Sequence, residues 1–176
     1  MEVSPELKAR LQRVRLFLCD VDGVLTDGTV VMGGQGEFKR FDIRDGFGLR
    51  LMQNAGIKVG WVSARPSPAT IERAEDLKID YLHQSPALKV ETIGELLATA
   101  GYSWDEISYM GDDVVDVGAL RRAGFAAAPA DARPEARAAA HYVCQASGGR
   151  GAVREVVELV LQTQNKWDAV IARYVA

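Results

Sequence analysis

Two aspartates one residue apart, Asp20 and Asp22, directly follow the apolar run Leu16-Phe17-Leu18-Cys19. Such a run predicts a buried strand with acids at its carboxyl end, which is where open α/β sheets gather their chemistry. Gly23 after the pair lets the backbone turn sharply, leaving a carboxylate free to grip a hard divalent cation. Further along, the run 59–62 ends in Ser63-Ala64-Arg65, which puts a hydroxyl at a second strand tip, and Lys89 lies near the start of a helical stretch. Ile107-Ser108-Tyr109-Met110 then runs into Gly111-Asp112-Asp113-Val114-Val115-Asp116, a third tip loaded with carboxylates. Carboxylates, a hydroxyl and an ammonium at successive strand ends suit metal-assisted transfer of an anionic phosphoryl group. Each has a plainer alternative: a solvated acidic turn for Asp20 and Asp22, a helix-capping turn residue for Ser63, a solvated helix charge for Lys89, a loop and N-cap for the last cluster. Their order along the chain favours the chemical reading.

Those tips need a sheet behind them. Short apolar runs alternate with helical stretches, which predicts parallel strands joined by crossover helices. Strands are expected at 15–19, 58–62, 81–83, 107–110, 125–127 and 142–144, and helices at 47–55, 68–77, 87–100, 115–123, 133–139 and 152–174. Val153, Val156, Val157, Val160 and Leu161 give the last helix an apolar face. Asp45 reads as a helix N-cap. One segment breaks the alternation: Thr29-Val30-Val31-Met32 and Glu37-Phe38-Lys39-Arg40-Phe41 flank Gly33-Gly34-Gln35-Gly36, which predicts a β-hairpin. A dinucleotide-binding loop would need a third spaced glycine and a helix after it. The expected fold is α/β, a three-layer Rossmann-like parallel sheet with flanking helices, in a single domain over 1–176 with the hairpin inserted at 28–42. These elements fill the intervals between the strand tips, so the fold is expected to be capless. Val30, Met32, Phe38 and Phe41 would make a projecting hairpin an edge hazard, so burial in an oligomer is expected; the alternative is a hairpin folded back on its own core.

Bulk properties exclude several classes. The 176 residues suffice for one core. A net charge of -3 and a pI near 5.5, with Lys and Arg scattered, leave no basic footprint for nucleic acid. No stretch reaches the roughly 20 apolar residues of a membrane span, and residues 1–16 are charged and lack a signal-peptide core, so a cytoplasmic location is expected. Cys19 and Cys144 read as small buried hydrophobes, and His83 and His141 as structural residues.

The four segments from Asp20 to Asp116 resemble the motifs of the haloacid dehalogenase superfamily of phosphohydrolases. Asp22-Gly23-Val24-Leu25-Thr26-Asp27-Gly28, Arg44-Asp45-Gly46-Phe47-Gly48 and Gly148-Gly149-Arg150-Gly151-Ala152-Val153-Arg154-Glu155 are similar to the 3-deoxy-D-manno-octulosonate 8-phosphate phosphatase family, over nearly the whole chain. Ala64 departs from that family's Gly and adds a Cβ beside the phosphate site.

The resemblance implies Mg²⁺-dependent hydrolysis of that sugar-acid phosphate through an aspartyl phosphate. Asp20 would be the nucleophile, Asp22 the general acid and base, and Ser63 and Lys89 would stabilise the transferring phosphoryl group. Mg²⁺ would be held by the side chains of Asp20 and Asp112 and the main-chain carbonyl of Asp22, with Asp113 and Asp116 behind the metal or orienting Lys89. A homotetramer built through the hairpin is implied as well. Glycines before a helix N-terminus make an anion site, so Arg150 and amides near Gly149 are expected to hold the sugar-acid carboxylate, with Arg65 a second candidate. A phosphatase of a nine-carbon keto-sugar acid phosphate would carry the same phosphate motifs. A non-catalytic oligomeric partner of a sugar-nucleotide enzyme would not need Asp20, Asp22, Lys89 and Asp112 intact.

Overall fold

The computed structural model describes residues 3–34 and 36–175. In chain order it runs α1 (Pro5–Gln12), β1 (Leu16–Cys19), β2 (Val31–Gly33), β3 (Gly36–Phe38), α2 (Ile43–Asn54), β4 (Lys58–Ser63), α3 (Pro68–Asp76), β5 (Tyr81–Gln84), α4 (Lys89–Ala100), β6 (Ile107–Met110), α5 (Val117–Arg122), β7 (Phe125–Ala128), α6 (Pro134–Ala139), β8 (Tyr142–Val143), α7 (Ala152–Thr163) and α8 (Trp167–Val175). The sheet order is β5-β4-β1-β6-β7-β8 with every neighbouring pair parallel. Cys19 at the end of β1 pairs with Trp61 of β4 and Met110 of β6, so the three chemically loaded tips lie side by side. They meet where the strand order reverses, the crevice in which such sheets bind ligands.

Alternation along β1 builds the three layers. Phe17 and Cys19 pack in a core with Leu11 of α1, Leu49 and Met52 of α2 and Val156, Val157 and Val160 of α7. Leu16 and Leu18 face the opposite core, with Ile93 and Leu97 of α4, Leu120 of α5 and Ala136 of α6.

The six sheet strands fall within a residue of expectation, while β2 and β3 pair over fewer residues than the expected 29–32 and 37–41; the helices differ in three places. Helix α1 was not expected, although Ser4 caps it by accepting from the Leu7 amide at 3.2 Å and Pro5 opens it, a start signal hidden in a charged segment. The stretch 152–174 is two helices, because Asn165 takes φ 55° and the Lys166 amide returns to the Leu161 carbonyl at 2.8 Å, a left-handed stop. Helix α2 starts at Ile43, and its N-cap is Asp42, not Asp45.

The hairpin is short, pairing Val31 with Phe38 and Met32 with Glu37. Only its tip projects: Val31, Met32 and Phe38 are 63%, 73% and 64% exposed. Phe41 instead stacks on Trp61 at 6.2 Å, tying the stem to the core, and Val30 is half-buried, so the expected four-residue apolar face is divided between solvent and core. Both cysteines are buried and free. Among the described residues no helix is long and apolar enough to cross a membrane.

Candidate active site

The chain leaves β1 with its ladder still intact, the Asp20 amide donating to the Met110 carbonyl at 2.9 Å. The Val21 carbonyl then accepts from the amides of Val24, Leu25 and Thr26 at 3.4, 3.0 and 3.1 Å, curling the loop back on itself. Gly23 sits inside this curl at φ +90°, and a Cβ there would lie 2.1 Å from Asp112 Oδ2. Both the backbone angle and the close approach exclude a side chain.

A buried charge cluster fills the space between the tips. Lys89, the first residue of α4, places Nζ 2.5 Å from Asp20 Oδ2 and 2.6 Å from Asp116 Oδ1. Asp116 Oδ1 also accepts from the Tyr109 hydroxyl at 2.5 Å, and its Oδ2 from the amides of Asp112 and Asp113 at 3.0 and 3.1 Å. Asp116 therefore aims Lys89 and fixes the Asp112 loop. Asp113, grouped with it at first, is exposed and caps the Val114 amide at 2.6 Å. Burial, opposed by Lys89 and reinforced by Asp116, pushes the Asp20 carboxyl up to about 6. Burial and the charges of Asp116 and Asp20 push Asp112 up to about 7. Burial works against the Lys89 ammonium, but Asp20 and Asp116 outweigh it and raise its pKa.

These values describe a site short of positive charge. Carboxylate oxygens of Asp20, Asp112 and Asp116 lie within 4.8 Å of one another, and Asp112 Oδ1 is buried without a hydrogen-bond partner. Both Asp116 oxygens are engaged by donors, and so are those of Asp20, by the Val21 amide at 2.7 Å and by Lys89; the orphaned Asp112 Oδ1 beside Asp20 is therefore where a cation finds a free lone pair. An all-oxygen donor set with an orphaned lone pair fits Mg²⁺.

Around this centre the structure moves several assignments. The Ser63 hydroxyl is buried at the β4 tip, accepting from the Arg65 amide at 3.2 Å and donating to the Arg65 carbonyl at 3.1 Å, while Ala64 is exposed. Arg65 pairs with Glu37 of the hairpin. Asp22 pairs with Lys39, whose Nζ also donates to Thr70 Oγ1 at 3.2 Å. Lys39 and Glu37 were missed because the hairpin was read for its apolar residues. Their signal was period two: Glu37 and Lys39 share the strand face opposite Phe38. A groove of about 540 Å³ opens beside them, bordered by Phe41, Pro68, Glu72 and Arg73.

The glycine-rich loop near the carboxyl end serves the active-site turn. A Cβ on Gly148 would lie 1.9 Å from the Gly23 carbonyl oxygen, and the Gly149 amide donates to the Val24 carbonyl at 2.9 Å. The amides of Gly151 and Arg154 donate to Asp45 Oδ2 and Oδ1 at 3.1 and 2.7 Å, so Asp45 caps α7, not its own helix. The main-chain donors expected to hold a substrate carboxylate are thus already engaged, and Arg150 next to them is exposed.

No protein-family profile matches the chain. It is 41% identical over 167 residues to the 3-deoxy-D-manno-octulosonate 8-phosphate phosphatase of Yersinia pestis, covering 94% of this chain and 89% of that protein. The phosphatase of the same name from Moraxella catarrhalis, solved with magnesium, phosphate and KDO, superposes with a TM-score of 0.94 at 35% identity, covering 98% of this chain and 99% of that one. A hydrolase of the HAD superfamily from Legionella pneumophila gives 0.92 at 34% identity over 97% of this chain and 94% of its own.

Proposed function

The chain belongs to the 3-deoxy-D-manno-octulosonate 8-phosphate phosphatase family of the haloacid dehalogenase superfamily, and we propose on that premise that it hydrolyses 3-deoxy-D-manno-octulosonate 8-phosphate to the free sugar acid and phosphate. The observation that carries this reading is Asp20 held 2.5 Å from Lys89 with the orphaned Asp112 carboxylate beside it. That set supplies a nucleophile, an ammonium for the phosphoryl group and a cation site at the tips of three adjacent strands.

The proposed chemistry has two steps. Asp20 attacks phosphorus in line and forms an aspartyl phosphate as the phosphorus–sugar oxygen bond breaks, with Asp22 giving its proton to the departing oxygen. Asp22 then takes a proton from water, which attacks the acyl phosphate, frees Asp20 and releases phosphate. Lys89, aimed by Asp116, offsets the charge of the transferring group, and the Ser63 hydroxyl binds one of its oxygens. Mg²⁺ would be held by the side chains of Asp20 and Asp112 and the main-chain carbonyl of Asp22, and when bound it neutralises charge on the nucleophile and the phosphoryl oxygens. Arg65 and Arg150 are assigned to the sugar acid, with Gly149 shaping the loop, and Asp113 to the edge of the metal site.

The uncovered hairpin tip supports a homotetramer in which neighbouring copies bury Val31, Met32 and Phe38. We place the reaction in the cytoplasm on the route to lipopolysaccharide, carried out by one domain spanning 1–176. Phosphate release from eight- and nine-carbon keto-acid phosphates, with Mg²⁺ and with chelator, tests the function. The eight-carbon substrate is expected to be preferred and all activity lost in chelator. A nine-carbon preference would overturn the substrate, and full activity in chelator the mechanism.

A further inference from the structure

The polar face of the hairpin stem carries one buried cation. The Lys39 side chain has 0% exposure, and its Nζ lies 2.8 and 2.9 Å from the two carboxylate oxygens of Asp22. It also donates to Thr70 Oγ1 of α3 at 3.2 Å. Burying an ammonium is costly without a partner, and the stem already has an apolar anchor in Phe41. The placement serves Asp22. Among the described residues Lys39 is the only hydrogen-bond partner of the Asp22 carboxylate, whereas Asp20 is fixed by the Val21 amide and Lys89, and Asp116 by four donors. Asp22 is 25% exposed, and among the described residues no other donor fixes its carboxylate.

We propose that Lys39 is a positioning residue for proton transfer, holding the Asp22 carboxyl in line with the leaving oxygen. The hairpin stem thereby completes the reaction machinery from within the same chain. This rests on the reading of Asp22 as the acid that protonates the leaving group. It ties the effect of Lys39 to leaving-group chemistry: a sugar alkoxide needs the proton, whereas p-nitrophenolate departs readily as an anion.

Lys39→Met, Lys39→Arg, Asp22→Asn and the double variant Lys39→Met/Asp22→Asn would be compared for kcat and KM on the eight-carbon sugar phosphate and on p-nitrophenyl phosphate. General acid catalysis is worth about 10²–10⁴-fold, so Lys39→Met is expected to lower kcat/KM, which reports the phosphorylation step and not the dephosphorylation common to both substrates, by about 10–100-fold on the sugar phosphate and by less than about threefold on the aryl phosphate. KM on the sugar phosphate should stay within about twofold, because a transition-state alignment is what is lost. Lys39→Arg should recover most of the loss. The double variant should be no worse than Asp22→Asn alone, as expected for residues acting as a unit. Equal losses of kcat/KM on both substrates, a loss confined to KM, or additive losses in the double variant would overturn the proposal. Asp22→Asn losing kcat/KM equally on both substrates would instead overturn the reading of Asp22 as the acid for the leaving group. If Lys39→Met does not fold by circular dichroism, Lys39→Leu, which likewise removes the donor, is read in the same two assays with the same outcomes deciding.

Discussion

Gly23 has no side chain, yet it sets the distance between the two carboxylates that face the cation. Gly23→Ala must place a Cβ against Asp112 Oδ2 and hold a left-handed φ, a strain of about 1–3 kcal/mol. It should raise the Mg²⁺ concentration needed for half-maximal activity by at least about tenfold, the equivalent of about 1.4 kcal/mol, in a metal titration of phosphate release; unchanged Mg²⁺ dependence would mean that Asp112 is not a ligand. Asp20→Asn should reduce phosphate release more than about a thousandfold, as loss of a nucleophile does. In chelator it should melt at or above the wild-type temperature, because burial and Asp116 already disfavour the charge it removes. A melting point several degrees lower would reveal a structural role. Asp20, Lys89 and Asp112 were legible in the sequence because each residue type sits at a strand tip or helix start. Asp113 and Asp116 were not separable, since one helical turn between them decides which carboxylate points inward. Lys39 was invisible as a partner of Asp22, because only the folded-down stem brings them together.

At the scale of elements, the six sheet strands were readable because parallel strands buried on both faces are continuous apolar runs. Helix α1 was lost in a charged segment, and the break between α7 and α8 turned on a single left-handed Asn165. Asp45 was legible as a cap but not as the cap of a distant helix, because that pairing exists only once α2 lies against α7. Burial, opposed by its two amide donors, pushes the Asp45 carboxyl up to about 6 from an ordinary 3.8. A raised folded value means that ionisation costs stability, so this residue's contribution improves as pH falls through 6. Relative to Asp45→Asn, the wild type should gain about 1 kcal/mol in urea unfolding between pH 8 and pH 5. Comparing the two proteins cancels the titration of Asp20 and Asp112, and a pH-independent difference would show that Asp45 stays charged at no cost.

At the scale of the whole molecule, the hairpin divides its labour: a stem bonded to the active site and a tip left bare. Met32→Ser with Phe38→Ser keeps Lys39 and Glu37 but removes the apolar tip. The double variant should dissociate the proposed tetramer in light scattering and cut kcat/KM on the sugar phosphate by at least about tenfold, with a much smaller effect on p-nitrophenyl phosphate, whose small body makes no remote contacts. A tetramer that survives would move the interface elsewhere. Gly148 and Gly149, meanwhile, seat against the backbone of Gly23, Val24 and Thr26, and α7 is pinned by Asp45. The turn carrying Asp22 is therefore braced by residues the ribosome adds long after it has made them. A nascent chain halted at Ala140 holds Asp20, Lys89 and Asp112 yet lacks that brace, so phosphate release is expected only once the glycine loop and α7 have also been made.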